Sequence, residues 1–273
     1  MTSGAADDPV RWLRRAKPLL GTLVEIGVCN HGLDGQGAMH ANHATHATHA
    51  THATHAIAAA FESITLVQAR MSKFEPDSDV SRFHRLRQGD SVAVDLHTAA
   101  VLVAARQLQH ETDGSFDITL HSAPDGWRLD GQRWQRLNEA AQIDLGGIAK
   151  GYAVDLAVHT LIAQGCTSGW VNAGGDLRAF GAADLPLRLR DEGTGGVRPF
   201  PRLQEGAFAT SHFSATSRCG VSRRAGVWAP VTTHVSVAAP LCMWADALAK
   251  VIALSGDTGH PLLARYQAQA WLH

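Results

Sequence analysis

A glycine pair between an apolar segment and a helical pattern is the feature that most restricts the fold of this chain. Residues 143–155 read IDLGGIAKGYAVD, and their first three positions have the pattern of the end of a buried strand. Gly146 and Gly147 break that pattern. A helical periodicity then begins at Ile148, Tyr152, Leu156 and Leu161. Glycines at such a turn let a ligand approach the backbone, and the N-terminus of the following helix favours anions. The segment therefore predicts a site for a phosphate or pyrophosphate.

Neither of the two common phosphate motifs fits this segment. A nucleotide-binding P-loop needs Ser or Thr after Gly-Lys, and the dinucleotide fingerprint needs three spaced glycines. A plainer interpretation is also open, in which the glycines make a tight turn and Lys150 is a solvated helix residue. The rest of the chain has to decide between these interpretations.

Composition excludes several classes of partner. The 273 residues allow one large domain or two small ones with a substantial core. A formal net charge of −1 gives no electrostatic reason to expect nucleic acid or an anionic membrane as partner. The four cysteines are scattered without a CxxC pair, which argues against a disulfide framework or a zinc site and favours a reducing cytoplasm.

The N-terminal residues have no continuous apolar region followed by a small-residue cleavage site, so we expect no signal peptide in the sequence as written. No run reaches the roughly 18 unbroken apolar residues of a membrane span. We therefore expect a cytoplasmic protein without a transmembrane segment. A start further upstream carrying a lipoprotein signal would instead place it in the periplasm or at a membrane.

Residues 40–56 form a tandem repeat, HANHATHATHATHATHA, with a histidine at every third position. Histidine-rich tracts suggest metal binding. On an α-helix, however, a three-residue period drifts around the cylinder, so the histidines would not line one face. We interpret the tract as a low-complexity insert that extends a loop or the start of the next helix. A metal-handling role is the alternative, and deletion of residues 40–55 would separate the two.

Strands and helices mix along the chain without a regular alternation, which predicts an α+β fold. We expect helices at 57–71 and 96–110, and a short helix capped by Ser78 or Asp79. Residues 112–120 are predicted to turn into a strand, and a Gly-Gly turn is predicted to join two strands within 169–181. The remaining predictions are strands near 21–28, 185–190, 207–211 and 235–238, and a helix from about Met243 to Gly256.

Six segments in order resemble the ApbE family, the FAD:protein FMN transferases. They are LLGT at 19–22, MSKFEPDSDVSRF at 71–83, DGSFDIT at 113–119, DLGGIAKGYAVD at 144–155, VNAGGD at 171–176 and SVAAPLCMWADALAK at 236–250. The resemblance implies one catalytic unit over residues 1–273, with mixed sheets and packed helices. It also implies transfer of FMN from FAD to a threonine hydroxyl of an acceptor flavoprotein, with release of AMP and with Mg²⁺ as cofactor.

The resemblance further implies a set of site residues. Lys150 and Asp246 are the catalytic candidates, with Lys150 acting as a point charge on the phosphates. The implied flavin and phosphate contacts are Leu20, Phe74, Ser115, Phe116, Asp117, Asp144, Lys150 and Cys219. The implied metal site comprises Gly147, Asp246, Ala249 and Lys250. Structural roles are open for three positions: a turn cap for Asp117, a core position for Phe74, and a hairpin role for Asp176.

Two departures from the family pattern bear on activity. CGVSRRAGV at 219–227 stands where the family has HIIDPxTG, which places Cys219 at the histidine position. His234 is near in sequence and is a candidate to replace that histidine in space. Lys250 stands where the family offers a threonine hydroxyl to the metal, and a protonated lysine cannot ligate Mg²⁺. A metal-dependent FAD pyrophosphatase and a non-catalytic FAD-binding protein are therefore the alternatives to a transferase.

Overall fold

The computed structural model describes residues 12–29, 43–191, 196–213, 221–224, 227–230 and 233–273. The helices within these ranges are α1 (His43–Met71), α2 (Asp79–His84), α3 (Leu96–Glu111), α4 (Ala149–Ala163), α5 (Cys242–Ser255) and α6 (Pro261–Arg265). The first seven strands are β1 (Trp12–Leu19), β2 (Thr22–Cys29), β3 (Ser91–Ala93), β4 (Trp127–Asp130), β5 (Arg133–Arg136), β6 (Gly169–Ala173) and β7 (Asp176–Phe180). The others are β8 (Leu185–Asp191), β9 (Gly196–Leu203), β10 (Gly206–Phe213), β11 (Val221–Arg224), β12 (Val227–Pro230), β13 (Thr233–Ala239) and β14 (Gln269–Leu272).

A seven-stranded antiparallel sheet organises the described part of the chain. Its strand order is β1-β2-β6-β7-β10-β13-β14. Three small antiparallel sheets, β3-β5-β4, β8-β9 and β11-β12, accompany it. Antiparallel sheets with helices packed against them confirm the predicted α+β class.

The two faces of the main sheet have different partners because side chains alternate along each strand. On β13, Val235, Val237 and Ala239 face the core shared with α1, α4 and α5. The opposite face packs Phe208 and Trp271 against Phe200 of the β8-β9 hairpin, with ring centroids 5.3 and 5.0 Å from Phe200. Helices α4 and α5 therefore lie on the same face of the sheet.

Helix α1 begins at His43, so the predicted start near residue 57 was wrong. Alanine is the strongest helix former, and the repeat supplies one every three residues. Ala53 and Ala56 are buried against the core, whereas His52 and His55 are exposed. Within the described part of the repeat, alanine packing thus continues the helix towards its N-terminus.

Several local predictions are confirmed. Ser78 caps α2 through a 3.0 Å bond from the Ser81 N–H, β6 and β7 flank the Gly-Gly turn, and α5 ends at Gly256 with a left-handed φ of 67°. The strand predicted within 112–120 is wrong, because these residues form consecutive turns. The strand end predicted at 143–145 is also wrong. There the Asp144 N–H donates one 2.8 Å bond to the Ile118 carbonyl, and no ladder forms.

None of the described helices is both long enough and apolar enough to cross a membrane.

Candidate active site

The close approach of α4 and α5 builds the centre of the candidate site. A Cβ placed on Gly151 would lie 2.6 Å from the Cys242 carbonyl carbon and 2.8 Å from Met243 Cα, so only glycine fits at this crossing. The Gly151 N–H donates a 3.1 Å bond to Oδ2 of Asp246, whose side chain is fully buried. The glycine therefore lets the first turn of α4 reach the carboxylate on α5.

The ammonium of Lys250 is held by oxygen atoms on three sides. It forms an ion pair with Oδ1 of Asp246, one turn earlier on α5. It also donates to the Asp246 carbonyl (2.9 Å) and to Oγ of Ser211 on β10 (3.1 Å). Burial alone would raise the pKa of Asp246, but the ammonium groups of Lys250 and Lys150 lower it. Asp246 is therefore an ionised carboxylate with both oxygens engaged.

Lys150, in the first turn of α4, pairs with Asp176 at the start of β7. The side chain of Asp176 is 1% exposed and that of Lys150 is 34% exposed. Burial, with the nearby charge of Asp246, raises the pKa of Asp176 to about 6 although Lys150 and Lys250 oppose the rise. Its second oxygen, Oδ1, has no hydrogen-bond partner among the described residues. Sequence reasoning left a hairpin role open for Asp176 and did not name it as a site residue, but it is part of this cluster.

Asp144 and Gly147 lie at the turn before α4, as the sequence predicted. Oδ2 of Asp144 is 2.6 Å from Nζ of Lys73, and Oδ1 accepts a 2.8 Å bond from the Gly146 N–H. A Cβ placed on Gly147 would lie 3.7 Å from Cε of Lys250 and 3.8 Å from the Phe116 ring. Phe116 and Lys250 therefore both lie within contact range of the glycine turn.

Phe74 is an exposed aromatic ring beside this turn. It is 83% exposed, which rules out the core position left open for it. Nζ of Lys73 lies 5.2 Å from the centroid of the Phe74 ring. Such a surface aromatic next to a charge cluster offers a flat apolar face for a planar ligand.

Leu20 is tied to the same region through Gln68. The Leu20 N–H donates to Oε1 of Gln68 (2.7 Å), and Nε2 of Gln68 donates to Glu75 (3.3 Å), next to Phe74. Leu20 has a φ of 55° and Gly21 a φ of 71°, the left-handed pair that a two-residue type I′ hairpin turn needs. The β1-β2 turn thus lies against the segment that carries Phe74.

The remaining predicted positions differ in their surroundings. Asp117 is a turn cap: it accepts bonds from Thr119 N–H (2.8 Å), Thr119 Oγ1 (2.7 Å) and His121 N–H (3.0 Å). Ser115 is exposed, and Ala249 is fully buried on α5. Cys219 lies outside the described residues.

His234 does not lie with Lys250. It belongs to the sheet face opposite the α5 core, because it alternates with the core residue Val235. Its Nε2 is 2.8 Å from Nδ1 of His212, and its ring stacks on His273 with centroids 5.7 Å apart. The suggestion that His234 replaces the family histidine in space is therefore not supported by this geometry.

Asp155 and Arg178 position α5, and sequence reasoning missed both. Oδ1 of Asp155 accepts the N–H of Cys242 (2.9 Å) and Oδ2 accepts the N–H of Met243 (2.8 Å), the first two residues of α5. Arg178 on β7 donates to Oδ1 at 2.8 Å. A carboxylate on α4 thus caps the helix that carries Asp246 and Lys250.

The residues assigned to Mg²⁺ do not fit that ion as they stand. Mg²⁺ takes oxygen ligands at short distance in octahedral geometry, usually one or two carboxylates together with waters and substrate phosphates. Both oxygens of Asp246 are already taken by Lys250 and the Gly151 N–H. Among the residues that the structure describes, no three His, Cys, Asp or Glu side chains are grouped to hold a metal ion.

Comparison with known proteins gives a consistent result. The model of the ApbE family matches residues 20–140 and 124–272. Two curated FAD:protein FMN transferases are each 25% identical to this chain, the one from Vibrio cholerae serotype O1 over 144 residues and the one from Haemophilus influenzae over 149 residues. These alignments cover 42% of this chain and 43% of each relative, so the matched part is less than half the length of either relative.

Solved structures agree over nearly the whole chain. The flavin transferase ApbE from Vibrio cholerae has a TM-score of 0.75 at 20% identity, covering 97% of this chain and 94% of that one. The apo flavinyl transferase ApbE from Pseudomonas stutzeri has a TM-score of 0.72 at 20% identity, covering 98% and 92%. These likenesses show a shared fold.

Proposed function

The chain belongs to the ApbE family, and on this basis we propose that it transfers FMN from FAD to a threonine hydroxyl of an acceptor flavoprotein, releasing AMP. The curated relatives carry the name of this activity. The proposed substrates are therefore FAD and a second protein that presents a threonine.

The observation that carries the proposal is the orientation of two ion pairs beside the glycine turn. In Lys150–Asp176 the ammonium side chain is 34% exposed and the carboxylate 1%; in Lys250–Asp246 the values are 12% and 0%. The lysine is therefore the more exposed member of each pair, which supports a site that presents positive charge to a ligand. The pyrophosphate of FAD carries two negative charges, and two lysine point charges at a helix N-terminus suit it.

The choice of lysine supports the same conclusion. The sequence contains four lysines, Lys17, Lys73, Lys150 and Lys250, and all but Lys17 lie in this cluster. Burial would lower the pKa of Lys150, but the charges of Asp246 and Asp176 raise it above its ordinary value. Lys150 therefore stays protonated and available to a phosphate throughout the physiological range.

The flavin end of the ligand is assigned to the exposed ring of Phe74. A planar isoalloxazine stacking on Phe74 would cover an aromatic face that is now 83% exposed. Leu20 lies on the neighbouring turn through the Gln68 bridge and would supply an apolar contact. This places the phosphates towards α4 and the flavin towards the β1-β2 turn.

The chemistry required is a displacement at phosphorus. The threonine oxygen forms a bond to the FMN phosphorus, the bond from that phosphorus to the AMP oxygen breaks, and the hydroxyl proton is released. Such transfers depend on positioning and charge neutralisation more than on covalent help from the protein. In the proposed reaction Lys150 and Lys250 neutralise charge on the phosphates, and no step requires the Mg²⁺ that the family resemblance implies.

Intact-mass analysis of an acceptor domain tests the proposal. The protein is incubated with FAD and an acceptor carrying a suitable threonine, with and without Mg²⁺, and AMP is measured in the same tube. An FMN-sized mass gain with equal AMP is expected, and replacing the acceptor threonine by valine should abolish both. Lys150→Met should slow the transfer strongly, whereas Lys17→Met, on β1 outside the cluster, should not.

Two outcomes would contradict a transferase. AMP release without any mass gain on the acceptor would identify a FAD pyrophosphatase. FAD binding without AMP release under either condition would identify a flavin-binding protein.

A further inference from the structure

The Lys250 ammonium is surrounded by oxygen atoms of the protein, as a bound cation would be. An ammonium has three N–H donors, and Nζ of Lys250 has three oxygen partners on the protein: Asp246 Oδ1, the Asp246 carbonyl and Ser211 Oγ. The Lys250 side chain is 12% exposed. The ammonium thus has a full set of oxygen partners in a nearly closed position.

The charges of the cluster are balanced one to one. Its four carboxylates pair with four cationic side chains: Lys73–Asp144, Lys150–Asp176, Arg178–Asp155 and Lys250–Asp246. A divalent cation entering beside Asp246 would meet two ammonium groups and no surplus negative charge among these pairs. Like charges this close in a poorly solvated site repel strongly.

The oxygen atoms needed by a divalent cation are also engaged. Asp246 is fully buried, with Oδ1 on Lys250 and Oδ2 on the Gly151 N–H. Oδ1 of Asp176 has no partner among the described residues, but it belongs to a side chain that is 1% exposed and paired with Lys150. Mg²⁺ is usually held by one or two carboxylates together with waters and substrate phosphates. Here the carboxylate with the unpartnered oxygen already carries the Lys150 ammonium.

We propose that the Lys250 ammonium occupies the cation position of this site, so that the protein binds the pyrophosphate of FAD without a divalent metal. The consequence for FAD rests on the proposed function, whereas the exclusion of a metal from the free protein does not. Lys250 is then a specificity-determining residue. Its side chain supplies a fixed single positive charge at the position where an exchangeable divalent metal ion would otherwise bind.

The exclusion of a divalent metal from the FAD-free protein is tested by titration with Mn²⁺. The electron paramagnetic resonance signal of free Mn²⁺ measures the binding. The wild-type protein should leave the free Mn²⁺ signal unchanged at micromolar metal concentrations. Lys250→Thr removes the ammonium that pairs with Oδ1 of Asp246 and adds a hydroxyl, so the affinity for Mn²⁺ should rise at least about tenfold. Lys250→Arg keeps the positive charge and should behave like the wild type. Lys17→Thr, a matched loss of a lysine outside the cluster, should also do so.

Quenching of FAD fluorescence tests whether the protein binds FAD without a divalent metal. The FAD affinity of the wild type should differ by less than about twofold between EDTA and excess Mg²⁺, whereas Lys250→Thr should bind FAD at least about tenfold more weakly in EDTA. Micromolar Mn²⁺ binding by the wild type, or loss of its FAD binding in EDTA, would overturn the proposal; both measurements use the unmodified chain and do not depend on a variant folding. Failure to bind FAD under either condition would count against the proposed function, while the Mn²⁺ measurement would still decide the cation question.

Discussion

Replacing Asp155 by alanine should destabilise the protein more than any surface change, because this carboxylate holds three donors in a buried position. The side chain is 8% exposed, and it accepts from Cys242 N–H, Met243 N–H and Arg178 at 2.8 to 2.9 Å. Asp155→Ala leaves two helix N–H groups and one guanidinium, 15% exposed, without their acceptor. Breaking a buried pair in this way costs about 3–5 kcal/mol, and we expect a loss of that size in the free energy of unfolding.

Urea denaturation followed by circular dichroism measures this loss. Asp155→Asn keeps one acceptor oxygen and should lose about 1–3 kcal/mol. Asp184→Ala is the matched control, since Asp184 also pairs with an arginine, Arg202 at 2.7 Å, but the two side chains are 44% and 54% exposed. It should lose less than about 1 kcal/mol. If Asp155→Ala and Asp184→Ala were equally stable, the reasoning that α5 is fixed by a buried carboxylate would be wrong.

Three further predictions concern the packing, the titration and the flavin contact of the site. Gly151→Ala places a methyl group within 2.8 Å of the backbone of Met243, so differential scanning fluorimetry should show a clear drop in Tm, corresponding to a loss of about 1–3 kcal/mol or more; an unchanged Tm would refute the close α4-α5 contact. The pKa of Asp176 is raised to about 6 from 3.8, so the native state takes up a proton that the unfolded state does not. Its contribution to stability is therefore fully present only below about pH 4 and is lost as pH rises through about 6. Between pH 7 and pH 4, Asp176→Asn should lack an increment of about 2 kcal/mol that urea denaturation detects in the wild type. Phe74→Ala should weaken FAD binding by about 1 kcal/mol or more, as measured by fluorescence titration. Its unfolding free energy should change by less than about 0.5 kcal/mol because the ring is exposed. An FAD affinity equal to that of the wild type would show that Phe74 does not contact the flavin.

The fold was predictable where the signal is local. Helical periodicity, the Ser78 cap and the Gly-Gly turn at Gly174–Gly175 each depend on residues within a few positions of one another, and these elements are confirmed. The wrong strand within 112–120 shows the limit of that signal. Asp117 holds its turn with three hydrogen bonds from residues two and four positions ahead, and this outweighs the apolar alternation of the segment.

Sequence reasoning named both members of only one of the four ion pairs, Lys250–Asp246, and neither member of Arg178–Asp155. Lys150, Asp246 and Asp144 were named from sequence, but Lys73 lies 71 positions from Asp144 and Arg178 lies 23 positions from Asp155. Asp155 in turn caps a helix 87 positions away. A single sequence records that these residue types are present, whereas the pairing depends on the packing of α4 against α5 and β7.

The degree of burial of each side chain decides which charge of an ion pair is more accessible to a ligand, and no sequence pattern records it. With a formal net charge of −1, the chain as a whole offers an anion no attraction, and the four pairs of the cluster are neutral. Asp176 and Asp246 are less exposed than Lys150 and Lys250, so the more exposed member of each neutral pair is the positive one. The N-terminus of α4 adds a partial positive charge. Under the proposed function, the arrangement that presents positive charge to a pyrophosphate would also repel a metal ion approaching along the same path, so the anion binding and the metal exclusion that we propose have one structural cause.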